Sequence, residues 1–184
     1  GRLMDFFHDK ILVQTEALLK AGASSMFRIC GAEYATPPYL PPSDFPELVV
    51  KYDRPLIGLM HGYGAIARVH SHGNIRRALP HFAEMGIDAL DPLEPPPDGD
   101  IELPEIRGVL GPKIAMIGNI EERIFELGTE QDVEDAVKKA IEGGAKGGPF
   151  ILCPTAMPLT TPLPEKVKRN LVHYIDSGLK YGAL

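Results

Sequence analysis

Long apolar runs are absent from this 184-residue chain. No stretch reaches the roughly 18 residues that a bilayer-crossing helix needs, which excludes a helical membrane span. Cysteine is scarce: only Cys30 and Cys153 occur, far apart. Two free thiols in a reducing compartment are expected rather than a disulfide frame. A basic excess is missing too, since 19 Lys and Arg against 25 Asp and Glu leave a net charge of −6. That balance argues against a nucleic-acid surface, which calls for clustered positive charge. The opening residues Gly1-Arg2-Leu3-Met4-Asp5-Phe6-Phe7-His8 lack the apolar region and small-residue cleavage site of a secretory leader, so a cytoplasmic location is expected. No internal repeat or low-complexity tract marks a boundary, and one domain over residues 1–184 is expected. What remains is ordinary: 44% hydrophobic and 24% charged residues, enough for one medium domain with a core.

Taken in order, the chain alternates two periodicities. Leu3, Phe7, Ile11, Leu18 and Leu19 follow a helical period over 3–20, and Gly22 ends the segment. Ser25 to Cys30 reads as a strand closed by Gly31. The four prolines between Thr36 and Pro42 demand a loop. Ser43 is the expected N-cap of a helix reaching about His61, kinked or split by Pro55. A strand over Ile66 to Val69 leads into His70-Ser71-His72-Gly73-Asn74, where Asn74 is expected to cap a helix through Met85. Ile87 to Leu90 is the next strand and runs into a rigid loop, Asp91-Pro92-Leu93-Glu94-Pro95-Pro96-Pro97. A short helix near 103–110 precedes a strand over Lys113 to Ile117. Thr129 caps a long helix to about Glu142, with Asp132 and Glu134 suiting its N-terminal dipole. A last strand, Pro149 to Cys153, stops at Pro154, and a final helix runs from about Glu165 to Tyr181.

Five strands alternating with helices specify a parallel sheet, buried on both faces, with helices outside it. The unusual chemistry gathers at the C-terminal ends of the strands, where a (β/α)8 barrel builds its active site. Eight strands usually take about 250 residues, so the α/β fold expected is a partial (β/α)8-type TIM barrel of about five βα units. It opens on a helix, as if taken from something longer. Residues two apart on a strand share a side, so His70 and His72 converge. Two imidazoles at a strand mouth suit a metal, or are plain polar residues at a strand end; spacing alone leaves both open.

Arg68-Val69-His70-Ser71-His72-Gly73-Asn74, Gly86-Ile87-Asp88-Ala89-Leu90-Asp91, Ile117-Gly118-Asn119-Ile120 and Pro158-Leu159-Thr160-Thr161-Pro162 together resemble the uroporphyrinogen decarboxylase superfamily. It includes the haem-pathway decarboxylases, corrinoid-dependent methyltransferases and, more remotely, cobalamin-independent methionine synthase. The resemblance runs from Phe27 to the last helix and implies roughly the last five βα units of a (β/α)8 barrel. The arginine-rich N-terminal motif of the decarboxylases has no counterpart here. Their Gly-His-Gly after the last strand is replaced by Leu152-Cys153-Pro154-Thr155-Ala156. The zinc-dependent methyltransferases place a cysteine there, with His-x-Cys on an earlier strand; here that element is His70-Ser71-His72. In the methionine synthase branch a glutamate follows the middle ligand by about two dozen residues. Glu94 follows His72 by 94 − 72 = 22 positions.

The resemblance therefore implies His70, His72, Glu94 and Cys153 as zinc ligands, with the ion turning a substrate thiol into a thiolate. A corrinoid or similar donor, free or on a corrinoid protein, supplies the methyl group. Asp91 and Glu33 are the catalytic candidates, and Arg28, Asn74 and Asn119 the substrate-binding ones. Each has a plainer reading. Cys153 can be a buried small hydrophobe, Glu94 a solvated loop acid, and Asp91 a turn cap. Asn74 and Asn119 can satisfy backbone at helix starts, and Arg28 can pair with Glu33. His61, His81 and His173 are expected at helix surfaces. The alternatives to methyl transfer are decarboxylation of a porphyrinogen-type tetrapyrrole and a non-catalytic barrel part acting with a partner. Two open sheet edges call for cover, so a homo-oligomer is expected.

Overall fold

The computed structural model describes residues 1–158 and 160–182; Leu159 of the Pro158–Pro162 motif lies outside the described residues. Strands β1 (Met26–Cys30), β2 (Ile66–Ser71), β3 (Ala89–Pro92), β4 (Ala115–Ile120) and β5 (Phe150–Pro154) form one sheet. They lie in sequence order, each parallel to the next. The helices between and around them are α1 (Arg2–Lys20), α2 (Lys51–Gly62), α3 (Leu79–Met85), α4 (Leu103–Leu110), α5 (Arg123–Leu127), α6 (Glu130–Gly144) and α7 (Glu165–Tyr181). An unreversed strand order has no switch point, so crossovers of one hand fall on one face of the sheet. That is the arc of a TIM barrel, as expected.

The core fills the space between sheet and helices. Ala67, Val69, Leu90, Met116 and Ile120 point outward from the strands and meet Phe82, Ile106, Phe125, Val133 and Val137 from the helices. The strands are not apolar on both faces as expected. Arg28, Arg68, His70 and Asp91 alternate with the core residues and so occupy the inner face, because strand side chains change side at every residue. The amphipathic sheet thus keeps its apolar energy on one side and its chemistry on the other.

Thr129 caps α6 as expected, in a reciprocal box with Asp132: the Thr129 hydroxyl accepts from the Asp132 amide at 3.2 Å, and the Thr129 amide donates to the Asp132 carboxylate at 2.7 Å. Other boundaries differ, mostly at prolines. Asn74 caps nothing, because α3 begins only at Leu79; Pro80 has no N–H and is tolerated only in a helix's first turn. Ser43 sits inside a short 3-10 turn, Pro42–Asp44, and its hydroxyl donates to its neighbour Asp44. The break expected at Pro55 falls earlier, as a π-helical turn over Pro46–Val50 running straight into α2. Pro55 is close to the start of α2, where it forfeits one intrahelical bond. Pro154 belongs to β5 rather than stopping before it. It cannot donate, and the next amide, Thr155, bonds the Ile120 carbonyl instead at 2.8 Å. No described helix is long and apolar enough to cross a membrane.

Between α1 and α2 lies a cavity of about 230 Å³ lined by Phe7, His8, Tyr52, Asp53 and Leu56. Burial there pushes the Asp53 carboxyl from 3.8 up to about 6. A carboxyl raised on folding stabilises the fold fully below the unfolded value and loses that contribution as pH rises through the folded one. Asp53→Asn is therefore expected to stabilise the protein by about 2–3 kcal/mol at pH 7.5, a gain vanishing near pH 4. Urea unfolding at both pH values checks this; an equal gain at both would show that charge is not the cause.

Candidate functional site

Parallel register assembles the site in rows. Arg28 lies opposite Arg68, and one pleat further on Cys30, His70 and Asp91 stand side by side across β1, β2 and β3. Asp91 is only 3% exposed. Its Oδ1 accepts from Arg68 Nε at 2.5 Å, and its Oδ2 accepts from His70 Nδ1 at 2.7 Å and Arg28 Nη2 at 3.3 Å. Burial pushes the Asp91 carboxyl up, but the His70 and Arg68 hydrogen bonds and charges more than offset it and hold it at about 2. The same contact raises the Arg68 guanidinium above its ordinary value. A carboxylate at neutral pH can only accept, so Nδ1 of His70 carries the proton. Arg28 Nη2, although 2.6 Å from that nitrogen, is satisfied by Asp91 instead.

The second histidine repeats the pattern one pleat higher. His72 Nδ1 lies 2.7 Å from Glu94 Oε1, and Glu94 Oε2 accepts the Gly73 amide at 2.6 Å. Gly73 has a left-handed φ of 75°, which glycine adopts without strain; that turn delivers its N–H to Glu94. The His70 and His72 rings meet edge to face, centroids 4.5 Å apart at 87°. Each imidazole spends Nδ1 on a carboxylate, and no described group bonds either Nε2.

On the far side, the ends of β3 and β4 approach closely. A Cβ on Gly118 would stand 2.1 Å from the Pro92 carbonyl oxygen, so only glycine fits. Asn119 follows, nearly buried, and Cys153 is its partner in register on β5. Burial pushes the Cys153 thiol up, with the Arg68 charge pulling against it. It is a protonated thiol at neutral pH, within electrostatic reach of the Arg68–Asp91 pair.

Of the residues singled out from sequence, the structure brings together Arg28, His70 and Asp91, and separately His72 and Glu94. Arg28 turns to Asp91, not to Glu33; Glu33 instead accepts the Gly31 amide at 3.2 Å. Asn74 lies in an irregular turn beyond Gly73. Among the described residues, no group of three or more His, Cys, Asp or Glu side chains is placed to hold a metal ion. Arg68 was missed, although the same-face rule that paired His70 with His72 also puts Arg68 beside them. Tyr34 and Tyr39 were missed too, since nothing local marks a loop tyrosine as part of a site. A cavity of about 350 Å³ opens between these tyrosines, Glu33, His72 and Glu94. A larger one, about 700 Å³, lies between α4 and α6 against mostly apolar walls. It touches neither histidine, although Asn119 lines it. The smaller one has His72, Glu94 and Glu33 in its wall and is taken as the mouth of the site.

The family model described as uroporphyrinogen decarboxylase (URO-D) matches residues 1–176. Among solved structures, a methyltransferase from Methanosarcina mazei shares the fold with a TM-score of 0.74 at 18% identity, over 97% of this chain and 48% of that one. The chain thus spans about half the length of that structure. No curated protein matches.

Removing the Asp91 charge strands two guanidinium groups and an imidazole proton. Asp91→Asn is expected to cost about 3 kcal/mol at pH 7. A carboxyl lowered on folding contributes fully above its unfolded value of 3.8 and loses that contribution as pH falls through about 2. The deficit of the variant should therefore shrink below pH 4, read as denaturant midpoints of both proteins across pH 2.5–7.

Proposed function

The chain belongs to the uroporphyrinogen decarboxylase (URO-D) family, and from that premise we propose that its site serves a methyltransferase moving a methyl group from a corrinoid or similar donor to a thiol. The observation that carries the reading is the histidine pair. Two imidazoles stand edge to face, each with Nδ1 on a carboxylate and Nε2 left as a Lewis base. A metal-ligating histidine typically donates its other ring N–H to just such a carboxylate, which sets its tautomer and aim.

Zinc is the metal we propose. His70 and His72 would offer it Nε2, with Asp91 and Glu94 behind them rather than on the ion. No third such side chain is placed with them among the described residues, so Cys153, the thiol donor chemically suited to join them, would have to move onto the ion. When bound, the ion would supply Lewis-acid activation of a substrate thiol. The chain's own groups do the rest. Asp91, fully engaged and ionised down to about pH 2, is a poor proton acceptor at neutral pH. It positions His70 and neutralises the two arginines. Glu94 positions His72. Glu33, at the mouth with one oxygen tied to Gly31, has the other to receive a proton from an entering thiol. Asn119, buried and in register with Cys153, lines the larger cavity between α4 and α6, where its amide would meet a polar substrate group.

Tetrapyrrole decarboxylation is supported less well, because it needs free cations for substrate carboxylates and Arg68 is committed to Asp91. The chain is further proposed to work as an oligomer or beside a corrinoid-bearing partner. Met26 on β1 and Ile151 on β5 are exposed along the two outer strands, as are Phe6 and Leu179 on the flanking helices.

Protein purified without chelator is expected to hold about one zinc per chain, lost in His70→Ala and His72→Ala, and to methylate a small thiol with a methylcorrinoid donor. Metal-free protein in every sample would end this reading and favour the decarboxylase-like or non-catalytic ones. Sedimentation at micromolar concentration is expected to give a dimer or larger; a clean monomer would contradict the oligomer.

A further inference from the structure

The small cavity beside His72 has walls unlike the rest of the site. Tyr34 and Tyr39 come from the loop after β1, ring centroids 5.6 Å apart and tilted at 54°. Both are close to two-thirds exposed, and neither hydroxyl bonds a described residue. They therefore add little to the fold, yet form a corner of π surface at the mouth. Pro37 and Pro38 between them stiffen the loop, so little order remains to be imposed on binding. Glu33 and Glu94 also line the cavity, and no described Lys or Arg does. The cavity is negative, aromatic and, at about 350 Å³, near the small end of ligand sites.

Charge and acceptor count together narrow the ligand. Both Glu94 oxygens already accept hydrogen bonds, from His72 and Gly73, and one Glu33 oxygen accepts from Gly31. The pocket thus offers two negative charges, with one Glu33 oxygen and the two tyrosine hydroxyls left as open acceptors. A primary ammonium would have to satisfy its three N–H donors from that one carboxylate oxygen and the hydroxyls of two exposed tyrosines. A fully methylated onium group, cationic and without N–H, suits it well, because it is held by aromatic faces and diffuse charge.

We propose that this cavity binds a methylated onium cation, a quaternary ammonium or a sulfonium, through Tyr34, Tyr39, Glu33 and Glu94. The binding stands on the pocket alone; that the cation is the methyl donor, in place of a corrinoid, rests on the thiol-methylation part of the reading above. With a quaternary ammonium the transfer balances. The thiolate sulfur pair forms the new S–C bond, the C–N bond breaks, and its pair leaves on a neutral tertiary amine.

Choline and its uncharged carbon isostere, 3,3-dimethylbutan-1-ol, separate charge from shape. Titration calorimetry on the intact chain is expected to show saturable choline binding, at least about tenfold tighter than the isostere and weakened by salt. Tyr34→Leu should weaken choline roughly fivefold or more and leave the isostere nearly unchanged. Glu33→Gln should narrow the choline preference. Equal affinity for the two compounds, or no binding of either, would overturn the proposal. This comparison uses the unmutated protein, so it stands even if a variant misfolds, which circular dichroism would reveal. Choline discrimination in a protein that takes up no zinc would sink the methyltransferase reading and leave this one intact. Zinc and thiol methylation without choline discrimination would do the reverse.

Discussion

Asp91 is a charge almost wholly removed from water, and the inner rim of the sheet is arranged around keeping it ionised. Burial alone drives a carboxyl toward its neutral form. Here three donors from two other strands override it: Arg68 and His70 from β2, and Arg28 from β1. The arrangement couples strand register to side-chain chemistry. A slip of β2 by one residue would send Arg68 and His70 into the apolar layer and bring Val69 inward. The ion cluster and the hydrophobic core therefore specify the same register from opposite faces.

A second cation does structural work away from the site. Arg107 on α4 is buried, and its guanidinium donates to the carbonyls of Gly111, Ile114, Gly144 and Pro149. These mark the end of α4, the approach to β4, the end of α6 and the approach to β5. One side chain thus satisfies four backbone acceptors that helix ends and strand entries leave open. Arg107 joins backbone at the N-terminal ends of the strands, while Arg28 and Arg68 serve the candidate site on the inner face.

The methyltransferase from Methanosarcina mazei shares this architecture at 18% identity, a likeness that concerns the fold. What the site can do rests on particular side chains. The histidine pair supplies Lewis bases aimed by carboxylates. The neighbouring pocket supplies aromatic faces and negative charge. Proximity of these two features at one mouth joins a thiol-activating reading to a donor-binding one, with Glu33 and Glu94 taking part in both.

Much of the fold was legible in the chain because its signals are local. Alternation of strand and helix period gave five parallel strands, and the two-residue pleat put His70 and His72 on one face. Thr129 and Asp132, three apart, announced the start of α6. Boundaries near prolines were misjudged where a polar residue looked like a cap but a later proline decided the start, as Asn74 and Pro80 illustrate. The partnerships of the site were not legible. Asp91 lies 63 residues from Arg28 and 23 from Arg68, and His72 lies 22 from Glu94. From sequence Glu94 looked like a ligand; in the fold it faces His72 and Gly73. Residue order and periodicity determine which side of an element a group occupies. Which groups then meet is decided by strand register and loop path, which emerge only when the core packs.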